Sequence, residues 1–598
     1  MRHTAALLAL AILVVASPAG AQDPDKKVTV QIGAGYTWTL SDAKDYVGDG
    51  YNFNLGVTYE ATRVIGIEGL YSFNGLGGKE FQLPVSATPT TGGVPTPFSA
   101  NLHMSNWPAH PSIYEINTWI WLSELREATG AAVDLGSVPD AVWDRLAALG
   151  IDAVWLMGVW ERSPTGIAIA NRNDALVDEF RRVLPDFQPT DNVGSPYCVR
   201  GYVVDSRLGG PDGLARARHE LAKRNLRLIL DFVPNHVAPD HPWVREHPAY
   251  FIHGNADDVR RDKSSFVEMH GCIYAFGRDP YFPPWPDVLQ LNAFDPWLRA
   301  SARATVGDIA AQCDGIRCDM AMLLLNDVFE RTWGARAGVR PAAEYWDEII
   351  PPVKRTYPNL LFIAEAYWDL EWTLQQHGFD FCYDKRLYDR LEHADAASVG
   401  LHLSADLAYQ SRLLRFVENH DEPRAAVAFP GPKARAAAVV SSTLPGARLF
   451  HDGQFEGRRV RVPVFLSRRP NEAADPETED FYARVLAAAT SPTLREGDWT
   501  LRAHSGWAGN DSHQHLVAWS WTSVERHYVI VANLSDRPAQ GRIRIDWNHL
   551  SDHQWVLADT LCDRVYRRSG AELARDGLFV DLAAWNCHLF ECQKGTLS

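Results

Sequence analysis

Four stretches of this chain share one grammar, an apolar run that ends in charged or imidazole side chains, and they constrain its fold more than any other feature. The central one is CDGIRCDMAM, Cys313 to Met322. In a strand successive side chains alternate between faces, so Arg317 and Asp319 point the same way. An Asp at the tip of a buried strand, held beside a guanidinium, stays ionised and is a candidate nucleophile. A structural Arg-Asp ion pair has the same local pattern. The other stretches are LRLILDFVPNHV (Leu226 to Val237), LLFIAEAYW (Leu360 to Trp368) and LLRFVENHDEPR (Leu413 to Arg424). Each reads as a parallel strand buried on both faces that releases polar groups at its C-terminal end. Together they supply Asp231, His236, Arg317, Asp319, Glu365, His420 and Asp421.

The flanking pattern places these strands in one architecture. PSIYEINTWIW reads as a strand ending near Asn117 to Trp119. SVPDAVWDRLAALG follows as a helix over Ser137 to Gly150 with Ser137 as N-cap, and IDAVWLMGVW as a second strand. Helix Pro211 to Arg224 leads into the strand that ends at Asp231. Further strands are read at Leu361 to Glu365, Phe379 to Tyr383, Leu413 to Glu418 and Ala447 to Asp452. About eight strands alternating with helices predict a (β/α)8 barrel with its polar residues at the C-terminal face. Residues 238–300, rich in His, Pro, Asp and aromatics, are too long for an ordinary loop and read as a small lobe inserted after strand 3. From residue 497 to 598 alternating segments without helices predict a C-terminal all-β sandwich. The catalytic barrel is bounded at 101–490.

The N-terminus reads differently. Residues 1–21 have a weakly basic start, an apolar run over Ala5 to Ala16 and the small-residue triplet Ala19-Gly20-Ala21, the pattern of a secretory signal peptide. An exported protein is expected, in the periplasm or at the outer membrane or beyond. Residues 22–83 contain three alternating, Gly- and aromatic-rich segments that resemble outer-membrane β-barrel strands. Such a barrel needs about eight, so a partial barrel fused to an unrelated enzyme is the preferred reading over an oligomeric or membrane-embedded one. Residues 84–100 are a Pro/Thr/Gly-rich linker. The eight cysteines are scattered, with no C-x-x-C pair, and indicate neither a zinc site nor a disulfide framework. That usage suits a reducing compartment and stands in tension with the leader. A net charge of -16 leaves no basic stripe for a nucleic-acid partner.

DFVPNH, GIRCD, the Glu of FIAEAYW and FVENHD, in that order, resemble the four signature regions of the α-amylase family of glycoside hydrolases, glycoside hydrolase family 13. SIYEIN and SPYCVRGYVVDSRLGG are similar to that family's first strand and the loop before its third. The resemblance covers roughly Pro108 to Asp452. It implies that Asp319 is the nucleophile, Glu365 the general acid and base, and Asp421 the third carboxylate, which holds the sugar's ring hydroxyls. Arg317 would keep Asp319 ionised, His236 and His420 would donate to the sugar, Tyr197 would stack beneath it, and Asp231 would support the site. A retaining mechanism needs two carboxyls about 5 Å apart, one ionised and one protonated, and burial beside other carboxylates would raise Glu365 for that purpose. Asn235 stands where many relatives ligate calcium, so calcium is an option although the chemistry requires none.

One departure bears on substrate. Endo-amylases resemble Asp-x-x-Lys-His after the nucleophile, whereas this chain has Asp319-Met320-Ala321-Met322-Leu323. Apolar side chains cannot make those hydrogen bonds to sugar, so maltooligosaccharides or short α-glucosides are favoured over long starch chains. A transglycosylase or glucoside-isomerising enzyme of the same family is the alternative. A catalytically inactive, exported glycan-binding protein is a third reading, which the full set of polar residues argues against.

Overall fold

The computed structural model describes residues 107–524 and 526–595 and, ahead of them, strands Val28–Thr37, Gly50–Thr62 and Ile65–Asn74. The leader over 1–21, the linker over 84–100 and the first six residues of the expected barrel domain lie outside the described residues. The three early strands form an antiparallel meander. Val28 is opposite Tyr59 and Asn52 opposite Asn74, with a register shift between Glu60 and Thr62. No helix among the described residues is long and apolar enough to cross a membrane.

In the C-terminal unit a closed barrel of eight parallel strands runs Ser112–Asn117, Ala153–Met157, Arg227–Phe232, Gly315–Cys318, Leu361–Ala364, Phe381–Tyr383, Leu413–Arg415 and Ala447–His451, with the last paired to the first. Their continuous apolar runs follow from position, because the barrel interior covers one face of each strand and the helical layer the other. At the start of strand 4 the glycine relieves a tight approach of its two neighbours. A Cβ on Gly315 would meet Ile229 Cγ1 at 3.1 Å and Leu361 O at 3.4 Å.

The first strand stops at Asn117, whose side chain accepts from the Ile120 backbone N–H and caps helix Thr118–Thr129. The next helix begins at Asp140 with Pro139 at its cap, so Ser137 is not the N-cap. The Ser137 hydroxyl instead donates to Asp134 Oδ1 at 2.8 Å and accepts from the Asp134 backbone N–H at 2.9 Å, closing the preceding turn.

Between strands 3 and 4 the inserted lobe is a four-stranded sheet. Its order is Phe266–Met269, Cys272–Gly277, Trp285–Gln290, His236–Val237. It therefore begins at His236, two residues ahead of the expected limit of 238, and its last strand in chain order ends at Gln290, short of the expected limit of 300. From Pro296 the chain is the barrel helix Pro296–Ala310, capped by Asp295 and started by Pro296, a signature that aromatic-rich surroundings concealed.

After helices Pro476–Ala489 and Pro492–Glu496 come a six-stranded and a three-stranded sheet, the C-terminal β-sandwich. Trp519 and Trp521, both fully buried, donate their indole N–H groups to the Thr443 carbonyl at 3.1 and 2.6 Å. Thr443 ends barrel helix Pro432–Thr443, so two large apolar side chains and its last-turn carbonyl fasten sandwich to barrel. The cysteines are free thiols.

Candidate active site

Strand register assembles the site. Arg317 is paired with Asp231 on one side and with Ile363 on the other, while Cys318 is paired with Phe232 and Ala364. Asp319 and Glu365 are each the next residue beyond a paired position, so the two carboxyls emerge level at the C-terminal rim. The fully buried guanidinium of Arg317 then lies between them. Nη1 donates to Asp319 Oδ1 at 2.8 Å and Nη2 to Glu365 Oε2 at 2.7 Å. A planar guanidinium presents these nitrogens side by side, which holds the two carboxyls as neighbours.

Asp231 stands 3.8 Å from Arg317 Nη1 and is fixed by the Trp155 indole N–H at 3.2 Å and the Gly158 backbone N–H at 3.1 Å. The rings of Trp155 and Tyr197 lie 5.3 and 5.2 Å from the Arg317 guanidinium carbon. Aromatic rings this close to the guanidinium attract its charge and favour one orientation of the arginine.

The loop after strand 7 brings the remaining groups. His420 Nε2 lies 2.6 Å from the Tyr197 hydroxyl and 2.9 Å from Asp421 Oδ2, and its Nδ1 lies 2.5 Å from Glu115 Oε1. Asp421 opens to solvent with its side chain 46% exposed. Asp231, Arg317, Asp319, Glu365, Tyr197, His420 and Asp421 thus form one contiguous cluster.

His236 sits on the first strand of the lobe, against Trp285 at 5.3 Å between ring centroids and with Asn235 Nδ2 3.2 Å from its Nδ1. Among the described contacts it reaches no carboxylate of the cluster. Burial holds it neutral, its pKa lowered to about 4.

Charge follows burial and neighbours. Desolvation pushes Glu365 up to about 7, Arg317 opposes it, and Asp319 and Asp421 add to the rise. Asp319 is also raised by burial, with Arg317 pulling it back and Asp421 and Asp231 pushing it up. The arginine therefore limits the rise of the candidate nucleophile without reversing it. Desolvation disfavours the His420 imidazolium, but Asp421 and Glu115 overcome it and raise the imidazole well above its ordinary value. Against its own desolvation, that imidazolium holds Asp421 down at about 2. The set is arranged for one titrating acid among fixed charges.

Both oxygens of Asn235, the residue considered for calcium, are engaged by a side-chain amide. Its Oδ1 and its carbonyl oxygen each accept from Gln290 Nε2 at 2.9 Å, and that same nitrogen donates to the Leu291 carbonyl at 3.0 Å. An amide N–H₂ group occupies the place where these oxygens converge, and Gln290 is fully buried. No group of three or more His, Cys, Asp or Glu able to hold a metal was found among the described residues.

Three groups at the site went unassigned in the sequence. Glu115 is the one charged residue inside the buried strand SIYEIN, and that position was its only signal. Tyr367 donates its hydroxyl to Glu365 Oε1 at 2.8 Å, from two residues along the chain. The Met320 backbone N–H donates to Glu365 Oε2 at 2.7 Å, which the left-handed φ of 41° at Met320 permits. Beyond it Ala321, Met322, Leu323 and Leu324 are buried in a 3₁₀ turn, so the segment after Asp319 sends no polar side chain outward.

A parallel eight-stranded barrel carrying paired carboxyls on one arginine at its C-terminal rim defines the class of (β/α)8 enzyme folds with acid and base chemistry. No family model matches the chain. It is 24% identical over 445 residues to α-amylase MalA of Haloarcula japonica, covering 72% of this chain and 56% of that protein. It is 26% identical over 236 residues to an α-1,4-glucan:maltose-1-phosphate maltosyltransferase of Bifidobacterium longum, 38% of this chain and 25% of that one. The solved maltogenic α-amylase AmyB of Thermotoga neapolitana shares the fold, with a TM-score of 0.57 and 17% identity over 82% of this chain and all of that chain. The chain spans about half the length of the first curated α-amylases it matches. These similarities support the α-amylase family of glycoside hydrolases.

Proposed function

We propose that the chain is a retaining α-glycosidase that cleaves α-glucosidic bonds of maltooligosaccharides or short α-glucosides through a covalent glycosyl-enzyme. The observation that carries this reading is Arg317 bridging Asp319 and Glu365, with the His420-Asp421 pair beside them. Asp319 attacks the anomeric carbon while Glu365, protonated near neutral pH, gives its proton to the departing oxygen. Water or a sugar hydroxyl then attacks the anomeric carbon, returning its proton to Glu365. Asp421, fixed by the His420 imidazolium, holds ring hydroxyls, and the half-buried Tyr197 ring supplies an apolar face for the sugar.

Short substrates are favoured because the segment after Asp319 turns into the core. Three residues after Glu365, Trp368 meets the exposed Tyr281 of the lobe edge to face at 4.8 Å, a pair proposed to offer aromatic faces to the leaving sugar. The same faces would serve a sugar acceptor. With several matched relatives named maltosyltransferases, transglycosylation is the second reading. Calcium at Asn235 forms no part of the proposal. The leader-like N-terminus favours export, and the three strands described ahead of the barrel are too few to close a membrane barrel of their own, so a fused fragment is favoured over insertion.

The full chain and its Glu365→Gln variant, incubated with maltoheptaose, maltose and sucrose, provide the test. Proton NMR should show the α-anomer forming first with the parent and not with the variant, and product lengths separate hydrolysis from transfer. A folded parent that turns over none of the three would overturn the proposal.

A further inference from the structure

Three donors converge on the Glu365 carboxyl. Arg317 Nη2 and the Met320 backbone N–H both reach Oε2 at 2.7 Å, and the Tyr367 hydroxyl reaches Oε1 at 2.8 Å. The first two are donors only, and both are fixed. Arg317 is fully buried with its other terminal nitrogen on Asp319, and the Met320 turn is pinned by the Ala321 N–H donating to the Glu365 carbonyl at 3.0 Å. With two N–H groups already aimed at Oε2, a protonated Glu365 must carry its hydrogen on Oε1. There it meets the single partner that both donates and accepts, and whose hydrogen rotates.

Resting on the glycosidase reading, we propose that Tyr367 is the positioning residue for the acid, its hydroxyl reversing direction as Glu365 gains and loses its proton. With Glu365 protonated, Tyr367 accepts from Oε1 and keeps that hydrogen on the oxygen that the two fixed N–H donors leave free. During cleavage the hydrogen passes from Oε1 to the glycosidic oxygen, the bond from that oxygen to the anomeric carbon breaks, and Asp319 forms the new bond to carbon. Tyr367 then turns to donate to the carboxylate left behind. When water or a sugar hydroxyl displaces Asp319, its proton returns to Oε1 and Tyr367 turns back.

The backbone is shaped around this contact. Trp368 and Asp369, immediately after Tyr367, both take left-handed φ values of 63° and 61°. Non-glycine residues in that region are uncommon and mildly strained, and pairs of them persist where the surroundings require a particular turn. Tyr367 remains a neutral phenol because burial and the facing Glu365 carboxylate raise it well above its ordinary value, as do Asp421 and Tyr383. The charged groups that bear on Glu365 are Arg317, Asp319 and Asp421.

The test compares full-length parent, Tyr367→Phe and Tyr367→His across pH on two substrates, maltotriose and α-glucosyl fluoride. Maltotriose needs a proton on its departing oxygen, whereas fluoride leaves with far less help. Removing a donor to a charged group predicts a loss of about 10- to 100-fold in kcat/KM on maltotriose. The loss on the fluoride should be at least tenfold smaller. A carboxylate without its donor is a stronger base, so the alkaline limb of the maltotriose profile should move to higher pH. Histidine, able to donate and accept, should recover part of the maltotriose activity. Equal losses on both substrates with an unmoved limb would overturn the role of Tyr367 and leave the glycosidase reading standing. A folded parent inactive on both substrates would overturn the glycosidase reading itself.

Discussion

Oε1 of Glu115 lies 2.5 Å from Nδ1 of His420, joining the first barrel strand to the loop after the seventh across a fully buried contact. The other ring nitrogen faces Asp421 and the Tyr197 hydroxyl. One imidazole therefore links the buried Glu115 to Asp421 and Tyr197. Glu115 acts through His420, and the sequence places it there by setting one carboxylate in an otherwise apolar strand.

Glu115→Gln should therefore lower the His420 pKa toward its ordinary value. A group whose folded-state pKa is raised contributes stability that is complete below its unfolded pKa, about 6.5 for histidine, and is lost as pH rises through the folded value. In the variant that contribution is smaller and is fully lost nearer to 6.5. Thermal melts should show a deficit of about 1–3 kcal/mol at pH 5.5 that shrinks at pH 8, as the parent's own contribution is lost. Equal deficits at both pH values would mean that Glu115 does not charge His420.

Gln290 gives a prediction about metals. Its amide nitrogen serves three oxygen acceptors, those of Asn235 and Leu291, in a site with no access to water. Chelation with EDTA should leave the melting temperature unchanged. Gln290→Ala, which orphans buried acceptors, should cost about 2–4 kcal/mol in urea denaturation. A melting temperature that falls in EDTA and recovers with calcium would show that an ion, not the amide, organises this loop.

Much of the architecture was legible in the sequence because a parallel barrel strand announces itself. Runs such as LRLILDF and LLFIA are apolar on both faces and end in polar groups, so strand identity and the rim bearing Asp319, Glu365 and Asp421 could be read directly. What could not be read was register. Nothing local says that Arg317 pairs with Asp231 and Ile363, or that Glu115 on the first strand meets His420 in the loop after the seventh. The lobe's limits were blurred for a related reason. Its short strands pair antiparallel over few residues, and the Asp295-Pro296 helix start lay within a stretch whose aromatics and prolines read as irregular. Tyr367 was hidden in plain view, since its value depends on which oxygen of Glu365 the other donors leave open.

Gly315 tests the register. In Gly315→Ala the new methyl would press on Ile229 and on the Leu361 carbonyl, forcing strands 3 and 5 away from strand 4. Overpacking of this kind should cost about 1–3 kcal/mol in denaturant unfolding. Because Arg317 lies two residues on, the folded variant should also lose kcat on maltooligosaccharides while KM changes less. A stable variant with parental kcat would show that the strands have more room than the structure gives them.

Glu365 links activity to stability through its raised pKa of about 7. The acid must be protonated to act, so kcat/KM should fall about tenfold per pH unit above 7. The stability sign follows from the same shift. An unfolded glutamic acid titrates near 4.5, so the folded state holds this proton more tightly, a contribution complete below that value and lost as pH rises through 7. Above pH 7 a buried carboxylate burdens the fold. Glu365→Gln does not titrate, so its stability relative to the parent should improve by about 3 kcal/mol between pH 4 and pH 8. The comparison is a pair of urea titrations at each pH. The absolute offset between the two proteins includes the hydrogen bonds that glutamine makes or breaks with Arg317, Met320 and Tyr367, whereas the slope with pH isolates the proton. A pH-independent difference would mean that Glu365 titrates at its ordinary value, and the acid at this site would then have to be sought in another carboxyl of the cluster.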